Sequence, residues 1–404
     1  MDALTDAPSG DSAPGRVQRM PDERTATLGL YAVAILSLAI SPIASFALAG
    51  LLLINLPCAA PSPMRWVFAA LVLLSMSMMV GMRTLDPAQS NDIEVYYDIY
   101  QNLAAGDLDM LTVFGGGFEV ALPLLMLLWS AILPPLTMQG LMFCLALTSG
   151  LLFVVWVDKA FGVAREAQLP ALVGICLVMF NMYYSTQLAR QFLSLIVLLY
   201  AFSAAGRWRQ LFYLLVASTF HLTAVPFFAL YLLARRGWLG WWGIVLMALL
   251  LRLYFVPLLL AVVDLPEAVA EKLVYYVDAS EGFSADDLVS MRMMLLLAGV
   301  SLVGLVASRF KPDANSRQWL AVPWFTVAVQ VLLLTIPLAS LRATLLVHSI
   351  VPGLLAFKML SGRAHKFLLP VLNVLLLYKI TAFALADGGA NFRPTYLLIA
   401  KFFQ

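Results

Sequence analysis

Reading along the apolar runs of the chain picks out a small set of ionisable side chains: Arg190, His221, Arg252, Arg292 and Arg342, with Arg83 at the end of a run. A charge in hydrocarbon costs about 2.5–3.5 kcal/mol on insertion scales, so each needs a reason. Arginine outnumbers lysine 18 to 7. The planar guanidinium offers paired donors that match phosphate or carboxylate oxygens, where an ammonium offers a point charge. Arg190 lies in Tyr183-Tyr184-Ser185-Thr186-Gln187-Leu188-Ala189-Arg190-Gln191, a polar island between two apolar runs. Several polar groups converge there where a link could have been minimal, which marks a functional position. His221, in Ala217-Ser218-Thr219-Phe220-His221-Leu222-Thr223, falls at the apex of a hairpin. It is placed to carry a proton or to meet a phosphate, the alternative being a ring satisfied by a neighbouring carbonyl. Arg252 and Arg292 have a plainer alternative, snorkelling to the headgroups.

A second group lies in a polar stretch, Ser90-Asn91-Asp92-Ile93-Glu94-Val95-Tyr96-Tyr97-Asp98-Ile99-Tyr100. Asp92, Tyr96 and Tyr100 share one face of a helix and Glu94 and Asp98 another. An acidic, aromatic helix of this kind suits sugar binding, with rings stacked on pyranose faces and a carboxylate beside them as general base. An interfacial helix with an aromatic belt is the alternative. Phe114-Gly115-Gly116-Gly117-Phe118-Glu119 follows; its glycines allow a sharp turn or a close backbone approach.

The elements that hold these groups must be stable in hydrocarbon. Of 404 residues, 62% are apolar and 12% charged, and mean hydropathy is +0.90. No globule has interior enough to hide that surface, so the composition predicts an all-α polytopic membrane protein. Apolar stretches run over 26–56, 64–82, 137–157, 168–184, 192–205, 210–234, 238–262, 291–308, 318–340, 343–360 and 367–386. Ser41-Pro42 breaks the first, and 210–234 reads as two short helices turning near His221. About eleven to thirteen crossings result. Residues 1–25 read as a disordered tail, 26–390 as a single membrane domain, and 391–404 as a C-terminal tail. The stretch 119–136 reads as a helix lying in or dipping into the outer leaflet.

Charge sets the orientation. Lys159/Arg165, Arg207/Arg209, Arg235/Arg236, Arg309/Lys311/Arg317 and Lys358/Arg363/Lys366 fill short links assigned to the cytoplasm. Asp86 to Glu119 holds seven acids and no base, and Asp264 to Asp287 seven acids and only Lys272. These two acidic loops, about 83–118 and 263–290, belong on the periplasmic side. A net charge of +2 excludes a nucleic-acid binder. Cys58, Cys144 and Cys176 lack CxxC pairing, which leaves neither a disulfide framework nor a zinc site. No P-loop, GxSxG, HExxH or dinucleotide fingerprint occurs, and no cofactor or metal is expected.

Taken in order, these islands resemble the EpsG family of bacterial exopolysaccharide proteins, related to Wzy-type polymerases and of the GT-C glycosyltransferase kind. The resemblance rests on Arg83 followed by the Asp92–Tyr96 cluster, Phe118-Glu119 at a helix start, Arg190-Gln191 opening a helix, Ala217-Ser-Thr-Phe220-His221, and a late Arg342. Ser90-Asn91-Asp92 stands where the family has Gly-Thr-Asp. The resemblance implies an enzyme of the bacterial inner membrane that joins polyprenyl-diphosphate-linked repeat units into an exopolysaccharide or O-antigen-type polymer. Asp92, Glu119 and His221 would act in catalysis. Arg83, Tyr96, Tyr100, Arg190, Gln191, Arg252 and Arg342 would bind diphosphate or sugar. The lipid-linked glycan and the bilayer would be partners, with a chain-length regulator and a flippase of the same pathway. Two alternatives remain: a GT-C transferase using a polyprenyl-phosphate sugar, and a lipid-linked-oligosaccharide flippase or exporter.

Overall fold

The computed structural model describes residues 21–55, 62–85, 92–161, 169–236, 365–386 and 399–403, with single positions at 242, 243, 246, 353 and 395. Arg252, Arg292, Arg342, the second acidic loop and the spans between 247 and 352 lie outside the described residues. The described chain is helical, and among the described residues the strand-like element is one isolated antiparallel bridge, Leu136 to Phe403.

Helix α1 (Pro21–Ile40) starts inside the segment predicted to be disordered, and α2 (Pro42–Asn55) follows it after a single residue. The break falls where Pro42 removes a backbone donor and restricts Ser41 before it. Ser41 Oγ accepts the Ala44 N–H at 3.2 Å and so caps the new helix. Then come α3 (Ser62–Gly81), α4 (Asp92–Ala104), two short 3₁₀ turns at Leu108–Thr112 and Gly115–Gly117, and α5 (Ala121–Ile132). Next are α6 (Met138–Phe161), α7 (Leu169–Met179), the single turn α8 (Tyr184–Gln187), α9 (Ala189–Ser203), α10 (Arg207–Phe220), α11 (Ala224–Arg235) and α12 (His365–Ala386). The 168–184 run therefore yields a shorter helix than its hydropathy predicts, because Phe180 to Tyr183 leave helical structure at the polar island.

One continuous apolar core joins α2, α3, α6, α7, α9, α10, α11 and α12. Phe180 stacks on Phe153 at 4.5 Å and meets Phe192 at 5.3 Å, while the buried Trp156 indole donates to Leu199 O at 3.1 Å and Ser203 Oγ at 2.9 Å. A second core joins α4 and α5 to the first turns of α6 and α9.

Cross-contacts fix the direction of each helix. Arg65, early in α3, pairs with Asp158, late in α6, at 2.9 Å, and Trp156 reaches Ser203 at the end of α9. These mark the far end. Lys159, Arg207, Arg209 and Arg236 belong to the same helix termini. The site end gathers the C-termini of α3, α7 and α10, the N-termini of α6, α9 and α11, and the acidic α4. The C-terminal residues also pack there: the Thr137 N–H donates to Phe402 O at 3.1 Å and its hydroxyl to Lys401 O at 2.6 Å. Phe402 O lies so close to Gly140 that a β-carbon there would stand 2.0 Å away, a contact only glycine allows. Because Leu38, late in α1, packs with Met78, Met82 and Phe402 at the site end, α1 begins at the far end.

Candidate functional site

Glu119 sits between the triple-glycine turn and α5, with 5% of its side chain exposed. Its Oε2 receives Arg190 Nη1 at 2.5 Å, and its Oε1 receives the Leu222 N–H at 3.0 Å with His221 Nδ1 3.6 Å away. One carboxylate thus ties together three segments: the loop before α5, the first turn of α9, and the α10–α11 turn. A buried carboxylate requires such partners, since each lone pair taken from water must be satisfied.

Local sequence explains each placement. Gly115 adopts φ 57°, and a β-carbon there would stand 2.6 Å from Glu119 Cγ, so this glycine supplies both the left-handed turn and the space for the carboxylate. Arg190 projects from the start of α9, its guanidinium 3.9 Å from the Phe114 ring centroid. Its Nε is buried with no hydrogen-bond partner among the described residues. Ser194, one turn on, donates to Ala217 O at 2.8 Å and is 3.3 Å from His221 O, which satisfies the last carbonyls of α10. His221 ends α10 in extended backbone (φ −160°, ψ 128°). Tyr96, on α4, lies beside Arg190. Burial raises the phenol's pKa above its ordinary value; Arg190 opposes the shift and Asp92, one turn earlier, adds to it.

Burial within the cluster is ordered. The side chains of Arg190 and His221 are 22% and 25% exposed, while Glu119 lies beneath them at 5%. Of the three, the guanidinium and the imidazole are the more exposed groups and the carboxylate the buried one. Such a face suits an anion, for which guanidinium and imidazole are matched donors.

The structure brings together Glu119, Arg190, His221 and Tyr96, with Asp92 beside Tyr96. Two expectations change. The resemblance gave Arg190 to diphosphate or sugar; in the fold its guanidinium already has a counter-charge in Glu119, 71 residues away in sequence. Tyr96 and Tyr100 were expected to offer their rings to sugar, yet both are buried. Tyr96 packs edge-on to Phe114 at 6.1 Å, and Tyr100 stacks on Tyr97 at 6.3 Å with its hydroxyl accepting the Leu136 N–H at 3.1 Å. Periodicity paired these tyrosines on one face, and that face is the one α4 turns to the core. Gln191 is buried in α9, and Arg83 lies over the Tyr183 ring at 4.1 Å. Asp92 opens α4, half-buried.

Sequence reasoning passed over Lys379. From α12 its amine donates to Val178 O at 2.5 Å and Phe180 O at 2.7 Å, which satisfies the carbonyls where α7 ends at the polar island. A lysine inside the otherwise apolar 367–386 run was the available signal. Ser194 and Gly115 carried none of comparable strength, because a buried serine and a turn glycine are ordinary in any helical protein.

A fold whose described residues are helical, with an arginine–carboxylate–histidine cluster between helix ends, is the kind of protein this structure defines. The model of the EpsG family matches residues 66–393, and the chain belongs to that family, which is associated with exopolysaccharide synthesis at membranes. Comparison with curated proteins and with solved structures gave no match.

Proposed function

We propose that the protein polymerises polyprenyl-diphosphate-linked oligosaccharide repeat units at the periplasmic face of the bacterial inner membrane, in a GT-C-like membrane domain. Helix α6 supports the membrane reading: Met138–Ala160 is long and apolar enough to cross a bilayer, at about 1.5 Å per residue against about 30 Å of hydrocarbon. The end asymmetry supports the orientation. Lys159, Arg207, Arg209 and Arg236 lie at the far end, which faces the cytoplasm, and Asp92, Glu94, Asp98, Asp107 and Asp109 at the site end.

The observation that carries the chemistry is the burial order, with Arg190 and His221 above Glu119. Arg190 and His221 receive the diphosphate of the donor, and Arg83 at the same end adds a second cation. An acceptor hydroxyl attacks the anomeric carbon, the bond from that carbon to the diphosphate oxygen breaks, and the leaving charge falls on the arginine donors. Both Glu119 oxygens are engaged by Arg190 and Leu222, so Glu119 orients Arg190, while Asp92 takes the proton of the acceptor. Arg252 and Arg342 complete the diphosphate and glycan contacts. A flippase and a chain-length regulator of the same pathway are its partners.

The test is purified protein in detergent micelles with lipid-linked repeat units and no gradient. Glycans that lengthen on their lipid support polymerisation. Glycans of unchanged length, combined with transfer of the same lipid across reconstituted vesicles, would replace it with export.

A further inference from the structure

His221 has two ring nitrogens, and which one carries the proton decides what the residue can do. Its Nδ1 stands 3.2 Å from the Thr223 backbone N–H and 3.0 Å from the Thr223 hydroxyl. A backbone N–H can only donate, so Nδ1 can only accept. Glu119 Oε1 is farther, at 3.6 Å, already receives the Leu222 N–H, and belongs to a carboxylate whose charge Arg190 balances at 2.5 Å. Among the described residues, Glu119 and, beyond it, Arg190 are charged groups beside the ring.

We infer that Thr223 is a positioning residue that holds His221 as the neutral Nε2–H tautomer, so that His221 offers its substrate a hydrogen-bond donor and does not act as a base. Moving the proton to Nδ1 would set two donors, ring and amide, against each other. The acceptor that fits is an anionic oxygen, and on the reading above it is a phosphate oxygen of the lipid diphosphate. The tautomer stands on the Thr223 geometry; the identity of the oxygen rests on the proposed function.

The chain has three histidines, so ring-¹⁵N labelling of the full-length protein in micelles, compared with His221→Gln, isolates the His221 signals. We expect a pyridine-type Nδ1 and a pyrrole-type Nε2 near neutral pH. A pyrrole-type Nδ1, or two protonated nitrogens, overturns the proposal with no variant needing to fold. Thr223→Val, which removes the hydroxyl and keeps the amide, should retain the wild-type pattern; a pyrrole-type Nδ1 in Thr223→Val would show that the amide does not hold the ring and would overturn the positioning role. In the elongation assay His221→Ala should lose roughly 10²-fold, the scale of one lost donor. His221→Gln, whose amide N–H reaches the Nε2 position, should recover to within about tenfold of wild type, on the same donor argument. Glutamine as inactive as alanine overturns the donor role. Wild type that lengthens no glycan, with the expected spectrum intact, defeats the polymerase reading and leaves the tautomer standing.

Discussion

Two arginine–carboxylate pairs stand at opposite ends of the helical core, and they are buried in opposite order. At the far end Arg65 is the inner partner, 10% exposed, and Asp158 the outer one at 31%. At the site end Glu119 is inner at 5% and Arg190 outer at 22%. The chemistry of each pair is the same, but its presentation differs. Arg65 and Asp158 join two helices, α3 and α6, which is a strap. Glu119 and Arg190 join three chain turns and bring Tyr96, Phe114 and His221 with them. Pairing by itself says little about function; which partner faces outward decides what a ligand meets.

The largest expected contrast is in activity. Glu119→Gln and Arg190→Lys should each lower polymer formation by roughly 10²-fold or more at normal protein levels, the first by releasing Arg190 and the second by losing the planar fork. Arg65→Met should leave turnover per folded molecule unchanged. Full polymer from Arg190→Lys would make the two pairs equivalent and end the distinction.

A smaller effect is expected from Gly115→Ala. The added methyl meets Glu119 Cγ in a left-handed backbone position. That conformation costs about 1–2 kcal/mol for a non-glycine residue. Activity should fall by roughly tenfold, corresponding to about 1.4 kcal/mol. Gly116→Ala, where a β-carbon meets nothing within 4 Å, is the control for backbone strain alone. Equal losses in both would show that Glu119 needs no such clearance.

At the far end the effect belongs to stability. Removing one partner of the pair should cost about 1–3 kcal/mol, the range for a buried polar group left unsatisfied, with Asp158→Asn toward the lower figure because that carboxylate reaches solvent. The double variant Arg65→Met/Asp158→Leu should recover most of the loss in a detergent-resistance melting assay. A double variant as unstable as Arg65→Met would mean that packing, and not charge, holds α3 to α6.

The last prediction leaves function untouched. In a Cys58→Ser background, cysteine at Asn102 should react with an impermeant thiol reagent applied from outside, and cysteine at Arg209 should not. Both positions are exposed. The opposite pattern would exchange the faces assigned to the two pairs.

What the sequence revealed was whatever lies within a few residues of itself. Pro42 announces its own break, the four-residue spacing of Asp92, Tyr96 and Tyr100 announces α4, and the polarity around His221 announces a turn. Periodicity could group Tyr96 with Tyr100 but not say which face of α4 the core would take. The link from Glu119 to Arg190 spans 71 residues and that from Lys379 to Val178 spans 201. Nothing local encodes either, because each depends on which helix ends the fold collects. Glu119 and Arg190 were each visible as unusual residues; their partnership was not.

The bond from Lys379 to the end of α7 also has a history in time. Val178 leaves the ribosome 201 residues before the lysine that satisfies its carbonyl. At about 5–20 residues per second that is a wait of about 10–40 s. Thr137 waits longer still for Phe402. Through that interval the nascent chain carries Arg190 and Glu119 without α12 or residues 399–403, which brace their surroundings. A chain halted before α12 thus carries every residue of the cluster but lacks these two braces.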